Sequence, residues 1–155
     1  PFFMSIAKDS VLPITDNRMT RFMISLEEGV ELVWHAFNDM KGGEIYVKKI
    51  PSMKVTDVAL AVDDKAKQEE VGIRPGEKLH EQMIGPEDAL YTYEYPGHFK
   101  ILPSINEWSL DPERVGAGIK VDPEFMYCSD SNKEWMQISE LKEWIEVNRN
   151  KIGSI

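Results

Sequence analysis

The clearest hydrophobic pattern in the chain lies in SLEEGVELVWHAFNDM, residues 25–40. Its apolar residues recur every three or four positions, as on one face of an α-helix. They are Leu26, Val30, Val33, Trp34 and Phe37. Ser25 followed three residues later by Glu28 forms a capping-box pattern, so we expect the helix to begin there. The Lys-Gly-Gly sequence at residues 41–43 is expected to end it.

Extended segments are predicted on both sides of this helix. VLPITDNRMTRFMI, residues 11–24, reads as two extended pieces around a turn at Asp16 and Asn17. EIYVKKI, residues 44–50, reads as a strand with Ile45 and Val47 on one face. Residues 85–130 are rich in Tyr, Pro and Gly, which indicates loops and short strands.

Further helices are predicted from weaker patterns. One begins near Thr56 or Asp57, one near Glu77, and one covers SELKEWIEVNRNKI with Leu141, Trp144, Ile145 and Ile152 on a shared face. A short helix is also expected within the first ten residues. Because strands alternate with helices, the fold class predicted is α/β, in layers.

Composition narrows the class of protein. The 155 residues, 42% of them hydrophobic, fit one globular domain with a core, and the apolar runs are too short for a transmembrane helix. With no secretory signal pattern and a single cysteine, Cys128, we expect no internal disulfide and a cytoplasmic location. The 27 Asp and Glu against 18 Lys and Arg argue against nucleic acid as a partner, although one small phosphate ligand needs only a few local donors.

The stretch IRPGEKLHE, residues 73–81, holds an arginine in an unusual setting. Pro75 biases Arg74 toward an extended conformation, and the following glycine allows a tight turn. If a helix opens after that turn, its first N–H groups favour an anion, and a guanidinium beside them suits bidentate contact with phosphate. Alternatively Arg74 pairs with a nearby carboxylate, Glu77 or Glu81, and residue chemistry by itself favours this second interpretation.

Arg21, in DNRMTRFMIS, is the second candidate. If Arg21 lies in a strand, its neighbours Thr20 and Phe22 face the opposite side, so Arg21 could point into a cleft while Phe22 packs inward. A solvated strand arginine is the alternative, and it is again the commoner case. The two arginines reinforce each other only if the fold brings them close together.

The remaining candidates carry less weight. A structural role is favoured over catalysis for His35, whereas His98, in a Gly/Pro loop, indicates little. The aromatic run YTYEYPGHF is more typical of strand core or an oligomer contact than of stacking on a base. Glu77 and His80 have a Glu-x-x-His spacing that can bind metal, but one such pair is not enough, so no metal site is predicted. The chain has no Gly-x-Gly-x-x-Gly, Walker, Tyr-x-x-x-Lys or Gly-x-Ser-x-Gly sequence, so no catalytic residue is predicted.

Four blocks of sequence nevertheless resemble one family. LPITDNRMTRFMISLEEGVELV, GGEIYVKKIPSMKVTD, GIRPGEKLHEQMI and YCSDSNKEW resemble the C-terminal half of the inverting UDP-N-acetylglucosamine 4,6-dehydratases, from Pro1 to about Trp135. These are extended short-chain dehydrogenase/reductases of the polysaccharide-biosynthesis group, and those that begin pseudaminic acid synthesis are the most similar in pattern. The resemblance implies an N-terminal Rossmann domain followed by a smaller substrate lobe. Members use NADP to oxidise the sugar at C4, eliminate water across C5 and C6, and return the hydride to C6 with inversion at C5.

The resemblance also implies roles for particular residues. One extended segment resembles the piece that holds uracil, largely by backbone contacts; its residues are Leu12, Pro13, Ile14 and Thr15. Arg21 and Arg74 resemble the pair that grips the diphosphate, and Glu77 resembles the carboxylate that meets the ribose hydroxyls. Met19 and Thr20 are expected to line the same slot. Pro75 would then hold Arg74 stiffly because a diphosphate must be met in one orientation.

For this chain the resemblance implies one substrate-binding lobe over residues 1–155, a fragment that lacks the Rossmann glycine loop and the catalytic groups. NADP belongs to the parent family, none is expected on this chain alone, and the chain alone is expected to be inactive. Expected partners are a UDP-sugar and either the missing Rossmann domain or a second copy in a homo-oligomer. A non-enzymatic oligomerising or regulatory module derived from such an enzyme is the alternative. Tyr91, where a His is expected, and the tail from Ser139 depart from the family pattern.

Overall fold

The computed structural model describes Phe3 and residues 11–149. The strands in this part are β1 Val11–Ile14, β2 Thr20–Phe22, β3 Ile45–Lys48, β4 Ser52–Lys54, β5 Lys67–Glu70, β6 Gln82–Ile84, β7 Thr92–Tyr95, β8 His98–Ile101, β9 Ile119–Lys120 and β10 Tyr127–Cys128. The helices are α1 Leu26–Asp39, α2 Val55–Val62, α3 Pro86–Ala89, α4 Pro112–Val115 and α5 Ile138–Asn148, with a 3₁₀ helix at Ile105–Leu110. The predicted α/β class is confirmed.

The chain divides into two compact units. The first comprises Pro1–Met23, Pro51–Glu81 and Ser129–Ile155, and the second comprises Ile24–Ile50 and Gln82–Cys128. The single substrate-binding lobe expected over residues 1–155 stays a prediction.

Short paired strands and two helices build the first unit. β1 runs parallel to β5, and β2 runs antiparallel to β4. Leu12 and Ile14 are fully buried, while the residues between and beside them are only half-buried, so β1 turns one face into the core. Ala59 of α2 lies in the same cluster. α5 packs against α2 and carries the fully buried Leu141.

An antiparallel sheet organises the second unit. Its strand order is β3-β8-β7-β9, and β6 pairs separately with β10. Phe99 of β8 is buried, and its ring centroid lies 5.1 Å from those of Phe125 and Tyr127. Tyr127 also donates its hydroxyl to the carbonyl of Ile50 and accepts from the Ile50 N–H, at 3.0 and 2.8 Å. The aromatic run of residues 91–99 therefore contributes to the core of the sheet, which is one of the two roles that the sequence favours over stacking on a base.

Most predicted elements are confirmed. α1 begins with the expected capping box: the Ser25 hydroxyl accepts the Glu28 N–H at 3.2 Å, and the Glu28 carboxylate accepts the Ser25 N–H at 2.9 Å. The two extended pieces, the strand at β3, the helix at α2, the terminal helix and the short strands of residues 85–130 are also present. The short helix expected in the first ten residues, and Ile152, lie outside the described part.

One predicted element is wrong. No helix begins at Glu77: residues 71–81 are neither helix nor strand, and the next element is the strand β6. The main chain of residues 79–81 instead bonds to neighbouring segments, since the Leu79 carbonyl accepts the Thr20 N–H at 3.1 Å and the Glu81 carbonyl accepts the Ser129 N–H at 2.8 Å. These tertiary bonds take the place of the i to i+4 bonds that a helix would need.

Two histidines meet between α1 and the sheet of the second unit. The ring centroids of His35 and His98 lie 4.6 Å apart, and His98 stacks on Tyr95 at 4.9 Å. Asp39 accepts from the Tyr46 hydroxyl at 2.5 Å and from the Lys100 amine at 2.7 Å. Burial, followed by repulsion from His35 and Lys100, lowers the pKa of His98 below its ordinary 6.5, against a backbone hydrogen bond and Asp39, which raise it.

Acidification is expected to destabilise this contact. Because the pKa of His98 is lower in the folded chain than in the unfolded chain, the unfolded chain binds more protons, and stability falls as the pH drops through 6.5. We expect the Tm to fall between about pH 7.5 and about pH 5.5, and to fall less in the variant His98→Gln. Thermal melts across this range provide the measurement; parallel Tm curves for the two proteins would contradict the expectation.

Candidate functional site

The loop of residues 71–81, called here the Arg-Pro-Gly loop, is built around one tight turn. The Glu77 N–H donates to the Arg74 carbonyl at 3.0 Å, with Pro75 and Gly76 between them. Gly76 has φ of 84°, so the four residues have the Pro-then-Gly arrangement of a type II β-turn. The Glu77 carboxylate also accepts the Arg74 N–H at 3.0 Å. The turn therefore sets the position from which the Arg74 side chain leaves the main chain.

The guanidinium of Arg74 is free within the described part of the chain. Arg74 is exposed, and its side chain makes no hydrogen bond or ion pair with any described residue. Neither predicted carboxylate pairs with this guanidinium: Glu77 accepts the backbone N–H of Arg74, and Glu81 lies 3.4 Å from the Nε of Arg21. The interpretation of Arg74 as half of an internal ion pair is therefore wrong, and its charge is available to an external anion.

Arg21 is placed very differently. Its Nη1 donates to the carbonyls of Thr20 and Leu79, at 2.7 and 3.2 Å, and its Nη2 donates to the carbonyl of Lys78 at 3.0 Å. The side chain is only 24% exposed, so the interpretation as a solvated strand arginine is also wrong. Of the five N–H groups of a guanidinium, these bonds use three and the Glu81 contact takes the Nε one. Arg21 thus ties β2 to the Arg-Pro-Gly loop.

A buried polar network lies on the other side of β2. The hydroxyl of Thr20 is 2.8 Å from Nδ1 of His80 and 2.7 Å from the hydroxyl of Ser129. The Ser129 hydroxyl also accepts the Glu81 N–H at 2.9 Å. Thr20 and Ser129 are buried. Together these bonds hold the end of the loop on the Thr20 face of β2, while Arg21 holds it on the opposite face.

The predicted uracil segment joins the same assembly. The carbonyl of Ile14 accepts the N–H of Val71, the first residue of the loop, at 2.8 Å. Leu12 and Ile14 turn their side chains into the core, whereas Pro13 and Thr15 are half-buried. Hydrogen bonds therefore connect β1, β2 and the Arg-Pro-Gly loop, the three segments that hold the predicted binding residues.

The other predicted residues support these segments. Met19 is buried, with its N–H on the Asp16 carbonyl at 3.0 Å and its carbonyl accepting from Val55 at 3.0 Å. In the turn between β1 and β2, hydrogen bonds from the Arg18 side chain and backbone lower the pKa of Asp16 to about 2. That carboxylate is consequently charged throughout the neutral range and holds the turn in place.

Within Phe3 and residues 11–149, no group of three or more His, Cys, Asp or Glu side chains is placed to hold a metal ion. In that same part of the chain no helix combines the length and the apolar character needed to cross a membrane.

Sequence reasoning missed two members of the site. His80 was weighed only as a metal ligand with Glu77, but its ring instead bonds Thr20. Ser129, in YCSDS, was not singled out at all, because an isolated serine in a polar stretch has no pattern that marks it as buried. Its role depends on residues 109 and 48 positions away in sequence.

Comparison with known proteins identifies the fold class. The structure matches the X-ray structure of Pen from Bacillus thuringiensis with a TM-score of 0.78 and 26% sequence identity, over 96% of this chain and 45% of that one. The chain is 46% identical over 154 residues to the UDP-N-acetylglucosamine 4,6-dehydratase (inverting) of Campylobacter jejuni, covering 94% of this chain and 46% of the relative. The architecture is therefore part of a short-chain dehydrogenase/reductase-type fold.

The family follows from the same comparisons. The family described as "Polysaccharide biosynthesis protein" matches residues 1–103, and the chain belongs to it. A more distant relative, the UDP-glucose 4-epimerase of Rickettsia akari, is 34% identical over 104 residues, which is 64% of this chain and 30% of the relative. The resemblance stated from the sequence is confirmed. The chain spans just under half the length of the dehydratases that it matches.

Proposed function

We propose that the chain provides the UDP-sugar-binding part of an inverting UDP-N-acetylglucosamine 4,6-dehydratase that acts in polysaccharide biosynthesis. The observation that carries the proposal is the 46% identity, over almost the whole chain, to a relative with that activity in its name. Such an enzyme would work in the cytoplasm, where nucleotide sugars are made. Because the chain corresponds to part of the relative, the complete reaction is proposed for the whole enzyme and not for these residues alone.

The geometry of the Arg-Pro-Gly loop supports a diphosphate as the ligand. Arg74 offers an unpaired guanidinium on a turn set by Pro75 and Gly76, which suits a planar, two-pronged contact with phosphate oxygens. Arg21 has an N–H of Nη2 left after its bonds to the main chain, enough for one further contact with the same diphosphate. With Arg21, the loop holds three cations against the two carboxylates of Glu77 and Glu81, a net positive charge that favours an anion in a chain of net charge -9.

The nucleoside would lie along β1 in this proposal. The buried side chains of Leu12 and Ile14 leave the main chain of β1, with Pro13 and Thr15, as the surface that uracil could meet. Glu77 follows the turn and would reach the ribose hydroxyls, while the buried Met19 and Thr20 would support the slot from beneath. Carboxylate and main-chain groups of this kind select one ligand over another by the hydrogen bonds they offer.

NADP does not fit the residues present. A dinucleotide needs a glycine-rich turn between a strand and a helix, where the pyrophosphate meets the helix N-terminus. In the described residues α2 follows β4 directly at Lys54, and the turn from β6 to α3 contains only Gly85. We therefore place the NADP of the family outside this chain and propose no step of the reaction through it.

A calorimetric comparison of uridine, UMP and UDP tests the proposal. If the loop binds a diphosphate, affinity should rise from uridine to UMP to UDP, by at least about threefold at each phosphate, because charge-assisted hydrogen bonds are added. Raising the ionic strength should weaken UDP binding more than uridine binding. The absence of UDP heat at millimolar concentrations, or equal affinities for the three ligands, would count against a nucleotide-sugar site.

A further inference from the structure

Helix α1 carries its large apolar side chains on the outside. Leu26, Val30, Val33, Trp34 and Phe37 are 46–81% exposed, and no residue of the helix is buried. At 100° per residue these five positions form one continuous band along the helix, which is called here the α1 stripe. The rings of Trp34 and Phe37 lie 6.2 Å apart within it.

The opposite side of α1 faces the sheet of its own unit, and it is mostly polar or small. Lys48 of β3 donates to the carbonyl of Glu28 at 3.3 Å, and the His35 ring lies 5.8 Å from that of Tyr46. Asp39 accepts from Tyr46, while Leu32 and Ala36 are half-buried on this side. A helix that simply covered this sheet would have the reverse arrangement, with its apolar side inward. The α1 stripe is therefore built to pack against something other than its own unit.

Because the apolar side of α1 faces outward, we propose that the α1 stripe is the docking surface for the part of a dehydratase-type protein that this sequence does not span. The relatives supply the size of that partner: the chain covers 46% of the Campylobacter jejuni dehydratase and 45% of the Pen chain. In both proteins a portion at least as large as this chain accompanies the matching half. A contiguous apolar surface of this kind on a soluble half-fold marks an interaction site.

Charge favours that partner over a second copy of the chain. Glu27 and Glu31 border the α1 stripe, with the Lys48 amine 3.5 Å from the Glu31 carboxylate. The basic residue nearest the helix end in sequence, Lys41, is bonded to Glu113 at 2.9 Å. The whole chain has net charge -9. Two copies meeting through this helix would bring acidic borders toward each other, which is unfavourable. The partner surface should accordingly be apolar with few acidic residues around it.

A chimera provides the test. In it, residues 1–155 replace the matching part of the Campylobacter jejuni dehydratase, and the isolated chain serves as the reference. Phe37→Asp should lower the Tm of the chimera by roughly 5 °C or more, because a carboxylate is then buried in an apolar contact. The same substitution should change the Tm of the isolated chain by less than about 2 °C, since Phe37 is exposed there. Asn38→Asp adds the same charge one residue away, off the α1 stripe, and should affect neither protein.

Further measurements keep the outcome clear. Hydrogen exchange should be slower over residues 26–39 in the chimera than in the isolated chain, and light scattering should show the isolated chain as a monomer. Equal Tm shifts from Phe37→Asp in the two proteins would overturn the proposal. So would an isolated chain that dimerises until Phe37→Asp separates it, because the α1 stripe would then join identical copies. UDP binding is measured separately, so either proposal can fail while the other stands.

Discussion

Replacing Arg74 by alanine is expected to weaken UDP binding by at least about tenfold, and to leave the Tm of the chain unchanged. A hydrogen bond to a charged group contributes about 1.5–3 kcal/mol, which corresponds to roughly ten- to a hundredfold in affinity. Stability should not change, because the Arg74 guanidinium has no partner in the described part of the chain. Calorimetric titration with UDP and a thermal melt of the same samples provide the two measurements.

The matched control for Arg74→Ala is Arg149→Ala. Arg149 is also exposed, and it pairs with Glu146 at 2.9 Å at the end of α5, so its removal subtracts the same net charge from a different element. UDP affinity should be unchanged in that variant. Arg74→Lys should fall between wild type and alanine, because lysine keeps the charge but lacks the planar fork. An Arg74→Ala protein that binds UDP as tightly as the wild type does would rule out the loop as the phosphate site.

The helix α1 was predictable because its signals are local. The capping box needs only Ser25 and Glu28, and the apolar spacing lies within fourteen residues. What spacing could not reveal is which side of the helix faces the rest of its unit. The pattern predicts one apolar face, and the structure puts Trp34 and Phe37 of that face on the outside. The spacing of apolar residues indicates that a helix has one apolar and one polar face, but which face is buried depends on what packs against it.

The Arg-Pro-Gly loop shows where local rules fail. Pro75 and Gly76 correctly predicted a tight turn, because both act on their own backbone angles. The helix expected after them does not form, since Leu79 and Glu81 bond to Thr20 and Ser129 instead. These partners are far away in sequence, so helical propensity was overridden by tertiary hydrogen bonds that no local pattern records.

The candidate site was predictable only in outline. The position before Pro75 marks Arg74 in the sequence, and the structure adds that neither expected carboxylate pairs with its guanidinium. Arg21 was singled out by its place in a strand, which is correct, but its bonds to two carbonyls of the loop could not be foreseen. The type of residue at a candidate site is thus visible in sequence, while which of its donors the protein itself uses is not.

That division of donors leads to a different expectation for Arg21 than for Arg74. Arg21→Met keeps an unbranched side chain of similar length but removes every donor to Thr20, Lys78 and Leu79. We expect the free energy of unfolding to fall by about 2–3 kcal/mol, because charge-assisted hydrogen bonds to a half-buried guanidinium are lost. UDP affinity should fall as well, because fewer hydrogen bonds then hold the Arg-Pro-Gly loop to β2. Urea unfolding and calorimetry measure the two effects.

Arg18→Met is the matched control, because Arg18 lies in the preceding turn, is largely exposed and pairs with Asp16 at 2.8 Å. Its loss should destabilise the chain less than Arg21→Met does, because solvent screens an exposed ion pair. Limited trypsin digestion separates positioning from direct contact: a loosened loop in Arg21→Met should be cut faster after Lys78, because the bond after Arg74 precedes Pro75 and resists trypsin. If Arg21→Met instead loses UDP affinity while its stability and its rate of cleavage stay those of the wild type, Arg21 grips the diphosphate directly. The carbonyls of Lys78 and Leu79 would then contribute little to holding the loop, and both arginines would act as equal halves of one clamp.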